Sequence, residues 1–142
     1  MKKILVPTDF SIEARNAAHY VVDFFQSMKI PCRISLLNAY LVPRVEEGEI
    51  IKVNDQAKMT SKMRLQSELE YTLSLITDGK IEVEIISSMG SLTNVIPRTI
   101  LQQKFDMVVM GKNGGGNVQK VSNTLKASKS DCSLLVVFHY PD

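Results

Sequence analysis

The sequence predicts an α/β domain whose parallel sheet is covered by helices on both faces. Three observations carry this expectation. Strand-like segments alternate with segments of helical periodicity along the chain, an order that gives parallel strands joined by right-handed crossovers. Two runs, Met107–Met110 and Leu134–Phe138, are apolar almost without a break, as strands buried on both faces are. The chain also opens MKKILVPTDFS, a short apolar run stopped by Pro7 and followed at once by a helix start.

The elements follow in order. A first strand spans Lys3–Val6. The first helix spans Ile12–Met28, with Ala14, Ala17, Ala18, Val21, Val22, Phe25 and Met28 on one face. Ser11 is its expected N-cap, and Glu13 in the first turn complements the helix dipole. Arg33–Tyr40 reads as the second strand. The irregular segment Leu41–Asn54, with Pro43, Gly48 and three glutamates, is expected to be a solvated loop. The second helix is expected over Asp55–Thr77, with an apolar stripe of Met59, Met63, Leu69, Leu73 and Ile76 and Gly79 as its stop. Ile81–Ser87 is the third strand. The third helix starts near Asn94, which leaves Pro97 in its first turn, where a missing N–H costs little. The fourth strand is Phe105–Gly111, the fourth helix about Val118–Ser130, and the fifth strand Ser133–His139.

A chain of 142 residues fits one domain over residues 1–142, with enough length to bury a core. The composition, 44% hydrophobic and 23% charged, is ordinary for a soluble globular protein. Seventeen Lys and Arg against 15 Asp and Glu leave a charge of +2, which gives no electrostatic case for nucleic acid or an anionic membrane as partner. No apolar stretch approaches the ~20 residues of a membrane span, and Ile4–Val6 is too short for a signal-peptide core. Cys32 and Cys132 form no CxxC and share no metal-ligand spacing with His19 and His139. A cytoplasmic protein without a metal site is expected.

Two segments carry possible chemistry. In open parallel sheets, ligands sit beyond the carboxyl ends of the strands, so Thr8, Asp9 and the N–H groups of the first helix would face such a crevice. The second segment, FDMVVMGKNGGGN, runs from a buried strand into Gly111, Gly114, Gly115 and Gly116. Glycines there either let backbone N–H groups approach a phosphate or simply make a turn. Neither GxxxxGK[ST] nor GxGxxG is present, which excludes a Walker A loop and a dinucleotide fingerprint. His19 has no nucleophile pattern around it, and the seven methionines are explained by packing.

These segments together resemble the universal stress protein family. Its nucleotide-binding members carry an aspartate after the first strand and a motif G-x2-G-x9-G-[ST] after the fourth. Asp106–Gly111, then Lys112, Asn113 and Gly114, match the first half of that motif. The position nine residues on holds Thr124 rather than glycine, and Ser122, Asn123 and Thr124 resemble the polar residues that open the family's last helix. The loop is thus shorter, and its third glycine is missing.

The resemblance implies an adenine nucleotide hydrolase-like, flavodoxin-like sheet of order 3-2-1-4-5. It implies a nucleotide site at Pro7, Thr8, Asp9, Ala39, Met110, Gly111, Gly114, Ser122, Asn123 and Thr124. Asp9 would meet the adenine or ribose, or else only cap the first helix. Ala39 would meet the base through its backbone. Ser122 and Thr124 would touch phosphate, or else cap the last helix. The ligand would be ATP or another adenine nucleotide, with Mg²⁺, held weakly by the degenerate glycine motif. Catalysis would be absent or limited to slow ATP hydrolysis, since neither a histidine pair nor an SGGxDS-type loop marks an adenylyl transferase or ATP pyrophosphatase. A dimeric stress protein that binds no nucleotide is the alternative. The last strand, Ser133–Tyr140, lacks a proline or inward charge to block an edge. The family resemblance implies a homodimer formed there.

Overall fold

The computed structural model is a five-stranded, all-parallel sheet of order β3-β2-β1-β4-β5. It describes residues 1–42, 50–77, 79–112, 117–128, 131–138 and 140. In chain order the elements are β1 (Lys2–Pro7), α1 (Ile12–Met28), β2 (Cys32–Tyr40), α2 (Ile50–Ser74), β3 (Ile81–Met89), α3 (Leu92–Gln102), β4 (Met107–Gly111), α4 (Asn117–Ala127) and β5 (Ser133–Val137).

The sheet separates two cores. On one face Ile4, Val6, Ile34, Leu36 and Val109 pack against Ala17, Val21, Val22 and Phe25 of α1 and Leu65 of α2. On the other, Leu5, Leu37, Val108 and Met110 pack against Val95 and Ile96 of α3 and Val121 and Leu125 of α4. The central β1 is covered on both sides, with Leu5 and Val6 fully buried, as its unbroken apolar run requires.

The helix ends follow from particular groups. Ser11 caps α1 by accepting the Ala14 N–H at 3.2 Å. Lys29, at φ 56°, closes it, with Lys29 N–H on the Gln26 carbonyl and Ile30 N–H on that of Phe25. Gln26 then terminates α2 from outside. Its amide donates to the Leu75 carbonyl (3.1 Å) and its carbonyl accepts from the Thr77 N–H (2.6 Å). The expected stop at Gly79 is corrected, since α2 ends at Ser74.

Three further expectations are corrected. First, α2 begins at Ile50, so the end of the expected loop is helical, while residues 43–49 lie outside the described residues. Second, the expected α2 stripe is not its buried face. Met59, Met63 and Leu73 are exposed, and Ser61, Leu65, Glu68 and Thr72 turn inward. The buried face was hidden because three of its four residues are polar. Each is satisfied: Ser61 by Asn38 (2.7 Å), Glu68 by a two-pronged contact with Arg15 (2.9 and 3.1 Å), and Thr72 by the Glu68 carbonyl (2.8 Å). The bond to Glu68 raises the Arg15 pKa above its ordinary value, so the guanidinium stays charged. Third, α3 starts at Leu92 behind Ser91, so Pro97 lies past the first turn, inside the helix. Its missing N–H leaves the Thr93 carbonyl without its usual helical donor.

The strands keep their expected identity with small shifts in length: β3 runs on to Met89, β4 starts at Met107, and β5 ends at Val137, with His139 outside the described residues. Beyond β5, Tyr140 returns to α1. Its hydroxyl donates to Asp23, and its ring meets Tyr20 and His19 edge-on at 5.4 Å each. The bond to Asp23, with burial second, pushes the Tyr140 pKa up to about 12. His19 is therefore a packing residue, 3.4 Å from Asp23.

One contact fixes how α1 meets the sheet. A Cβ at Gly111 would stand 2.4 Å from the Glu13 carbonyl oxygen and 2.6 Å from its carbon. Both atoms are backbone, so no side chain can move aside. Gly111→Ala is expected to lower stability by ~1–3 kcal/mol, the usual cost of overpacking. At Gly79 nothing lies within 4 Å, so Gly79→Ala should stay within ~0.5 kcal/mol of the parent. Urea denaturation of the two variants checks this, and equal midpoints would refute the contact.

Candidate functional site: a crevice beyond the end of the central strand

The crevice exists because β1 stops early. Its last register pair is Pro7 with Leu37, whereas β2 continues to Tyr40. On the other side β4 continues to Gly111. The recess between them, at the topological switch point of the sheet, is lined by Pro7, Thr8, Asp9, Ser11, Glu13, Ala14, Asn38, Ala39, Leu92, Met110 and Gly111. Its free volume is ≈ 100 Å³, below the ~300–1,000 Å³ of pockets that engulf a drug-sized ligand.

The turn at its floor is built by side chains answering their own backbone. Thr8 N–H donates to the Leu37 carbonyl at 2.7 Å, the last rung between β1 and β2. Thr8 Oγ1 accepts the Phe10 N–H at 2.9 Å, and Asp9 Oδ1 accepts the Ser11 N–H at 3.0 Å. These two bonds hold Phe10 at φ 68°, a left-handed conformation that bulky residues rarely adopt. The Arg64 guanidinium lies 4.4 Å from the Phe10 ring centroid and helps hold it. Asp9 itself is exposed, whereas Thr8 is buried.

Asn38 braces the wall. Its Nδ2 donates to the Thr8 carbonyl at 2.8 Å, and its Oδ1 accepts from Ser61 at 2.7 Å. Ser61 shares a 2.7 Å hydroxyl contact with Ser87. Three elements, β2, α2 and β3, are thus tied to the turn by one chain of polar groups.

Ala39 offers the crevice its backbone. The Leu37 carbonyl faces β1, and the Tyr40 carbonyl faces β3, where it accepts the Gly90 N–H at 2.9 Å. Strand periodicity therefore turns the Ala39 N–H and C=O toward the β1 side. There β1 has already ended. A donor and an acceptor from one residue face the recess.

Of the residues singled out in the sequence, Pro7, Thr8, Asp9, Ala39, Met110 and Gly111 line this one crevice. Gly114 lies outside the described residues. Ser122, Asn123 and Thr124 do not line the crevice. They also do not open the last helix, since α4 already begins at Asn117. The helix starts as soon as the glycines end, because Val121 and Leu125 must both reach the core. Thr124 Oγ1 donates to the Lys120 carbonyl at 2.8 Å, and Asn123 accepts from Gln119 at 3.0 Å, so both serve the helix itself. Sequence reasoning did not place Ser11, Glu13, Ala14, Asn38 or Leu92 at the site. An asparagine at the end of the apolar run ISLLNA was a signal for one of them.

Cys32 and Cys132 are buried thiols outside any disulfide, and burial pushes both up to about 11. Among the described residues, no cluster of His, Cys, Asp and Glu could hold a metal ion, and no helix is long and apolar enough to cross a membrane.

Comparison with known structures finds the same architecture across nearly the whole chain. A universal stress protein family member from Burkholderia pseudomallei superimposes with a TM-score of 0.71 at 12% identity, covering 96% of this chain and 95% of that one. An Arabidopsis thaliana family member with AMP bound gives 0.68 at 16% identity, covering 100% and 94%. A universal stress protein in complex with cAMP gives 0.64 at 15% identity, covering 96% of each chain. Comparison with curated protein sequences finds no significant match. The family model of the universal stress proteins matches residues 1–137, and this chain belongs to that family.

Proposed function

We propose that this protein is a cytoplasmic stress-response module that holds the adenosine part of an adenine nucleotide weakly in the crevice, with no robust turnover. The observation that carries the reading is the Ala39 edge. Its N–H and C=O match the acceptor N1 and donor N6 of an adenine edge, and Asp9 stands across the recess to meet the ribose or base. The AMP and cAMP complexes among structures of the same fold support the adenine assignment.

The phosphate side is the poorer half. Holding phosphates takes several aligned N–H donors and a hydroxyl at the start of a helix. Ser122, Asn123 and Thr124 lie past the first turn of α4 and supply no such start. Gly111 packs against the Glu13 backbone, and of the family's glycine motif Gly114 is the remaining match in the sequence. Mg²⁺ enters this reading only with a phosphate chain. No Lys or Arg lies among the described lining residues to steady a leaving pyrophosphate, which favours binding over catalysis.

The assembly we propose is a homodimer through Ser133–Tyr140. Among the described residues β5 pairs only with β4, which leaves its outer edge open. Both cores recruit residues from β5, but neither includes Val136.

Isothermal calorimetry is expected to find adenosine binding within about tenfold of ATP, because each charge-assisted phosphate contact that is lost forfeits ~1.5–3 kcal/mol. Tight ATP binding that disappears in Gly114→Val, with adenosine far weaker, would refute the weak-phosphate reading. For the dimer, sedimentation should show Val136→Lys shifted toward monomer at micromolar concentration. A parent protein that is already monomeric there would refute the assembly.

A further inference from the structure

We infer that Asn38 is a positioning residue for the crevice: its side-chain amide takes the carbonyl on which the Ala39 N–H would otherwise close, and so keeps the Ala39 edge open to a ligand. The consequence for ligand binding rests on the crevice being the adenosine site. The consequence for the backbone stands apart from it.

The ladder between β1 and β2 stops one rung short. In a parallel pair, a residue donates its N–H to one carbonyl of the neighbouring strand, and its own carbonyl accepts the N–H found two residues further along that strand. Thr8 makes the first of these bonds, from its N–H to the Leu37 carbonyl at 2.7 Å. The second would run from the Ala39 N–H to the Thr8 carbonyl. Register ends at Pro7 with Leu37, so that rung is not made. The Thr8 carbonyl accepts instead from Asn38 Nδ2 at 2.8 Å.

The two donors approach from different directions. Ile34 and Leu36 face the core under α1 and α2, and Asn38, two residues on, shares that face and meets Ser61 of α2 at 2.7 Å. The Ala39 N–H lies instead in the plane of the sheet. A carbonyl drawn toward the Asn38 amide tilts out of that plane and leaves the line of the Ala39 N–H.

The amide is also held so that it must donate. Ser61 gives its proton to Asn38 Oδ1, and a backbone carbonyl only accepts, so Nδ2 faces Thr8. Ser61 then accepts from Ser87 across their 2.7 Å contact. Asn38 and Ser61 are both buried, which shields the chain of bonds from competing solvent. Without the amide, the Thr8 carbonyl would lose its donor in a buried residue, and the Ala39 N–H is the next donor along the ladder.

Hydrogen exchange of the ¹⁵N-labelled full chain, without ligand, reads this rung directly. In the parent, the Ala39 amide is expected to exchange faster than those of Leu37 and Tyr40, which lie in registered pairs. In Asn38→Val the freed Thr8 carbonyl should close on Ala39 and slow exchange there by roughly tenfold or more. A scalar coupling across the new bond, from the Ala39 nitrogen to the Thr8 carbonyl carbon, should appear with it. A residue that only supported the fold would do the reverse and speed exchange at Ala39. Asn38→Leu is the second variant, and protected amides at the fully buried Leu5 and Val108 report that each is folded.

Ligand binding supplies the other arm. Adenosine should bind Asn38→Val roughly three- to tenfold more weakly than the parent, the worth of about one hydrogen bond. 1-Deazaadenosine, which lacks the N1 acceptor, should bind the parent more weakly than adenosine does, yet bind Asn38→Val within about twofold of it. Ala39 exchange that is already slow in the parent, or unchanged or faster in both variants, would overturn the inference and leave the Thr8–Asp9 turn as what holds the strands apart. Lost adenosine affinity with no change at Ala39 would overturn it too, and would make Asn38 a ligand contact. If Ala39 closes as expected but the parent binds no adenosine, the role of Asn38 stands and the adenosine reading falls.

Discussion

The structure turns on the length of its central strand. Pro7 ends β1 at the level of Leu37, while β2 continues to Tyr40 and β4 to Gly111. A shorter strand between two longer ones must leave a recess at the sheet's carboxyl edge. It must also leave backbone groups of the longer strand without their ladder partner, and Ala39 is that residue. Proline enforces the stop because φ is fixed and no N–H is available to continue the ladder. The nucleotide site proposed for this protein sits in the space so created.

The turn that follows has a cost. A left-handed phenylalanine is disfavoured by roughly 1–3 kcal/mol. Thr8 and Asp9 offset it with one side-chain bond each to the next N–H groups, and Arg64 packs on the ring. The same bonds bear on function. They engage the Phe10 and Ser11 N–H groups just before α1 and fix Asp9 at the rim of the recess. Asn38 then couples this turn to Ser61 of α2 and, through it, to Ser87 of β3. Geometry at the crevice is thereby tied to the packing of a helix whose outer face, with Met59 and Met63, is open to solvent.

Much of this was legible in the residues. Alternating periods placed every element, and apolar runs identified the strands, because burial on both faces leaves a plain pattern. The reading failed where burial and polarity part company. The inner face of α2 carries Ser61, Glu68 and Thr72, each satisfied by a partner distant in sequence, so an apolar stripe was sought on Met59, Met63 and Leu73 instead. The start of α3 was placed by Pro97, whereas Ser91 set it earlier. At the site, Thr8, Asp9 and Gly111 came from strand ends, which the sequence marks, and Ala39 came from the family resemblance. Glu13 read only as a helix-dipole residue, because nothing in a linear sequence says that Gly111 presses against its backbone.

The central claim is that the recess beyond β1 holds an adenine through the Ala39 edge. Amide chemical shifts of the ¹⁵N-labelled protein titrated with adenosine test it most directly. The account predicts saturable shifts largest at Ala39, Asp9 and Gly111, with the amides of β5 and the outer face of α2 unmoved. Shifts centred away from these residues, or none at millimolar adenosine, would contradict it.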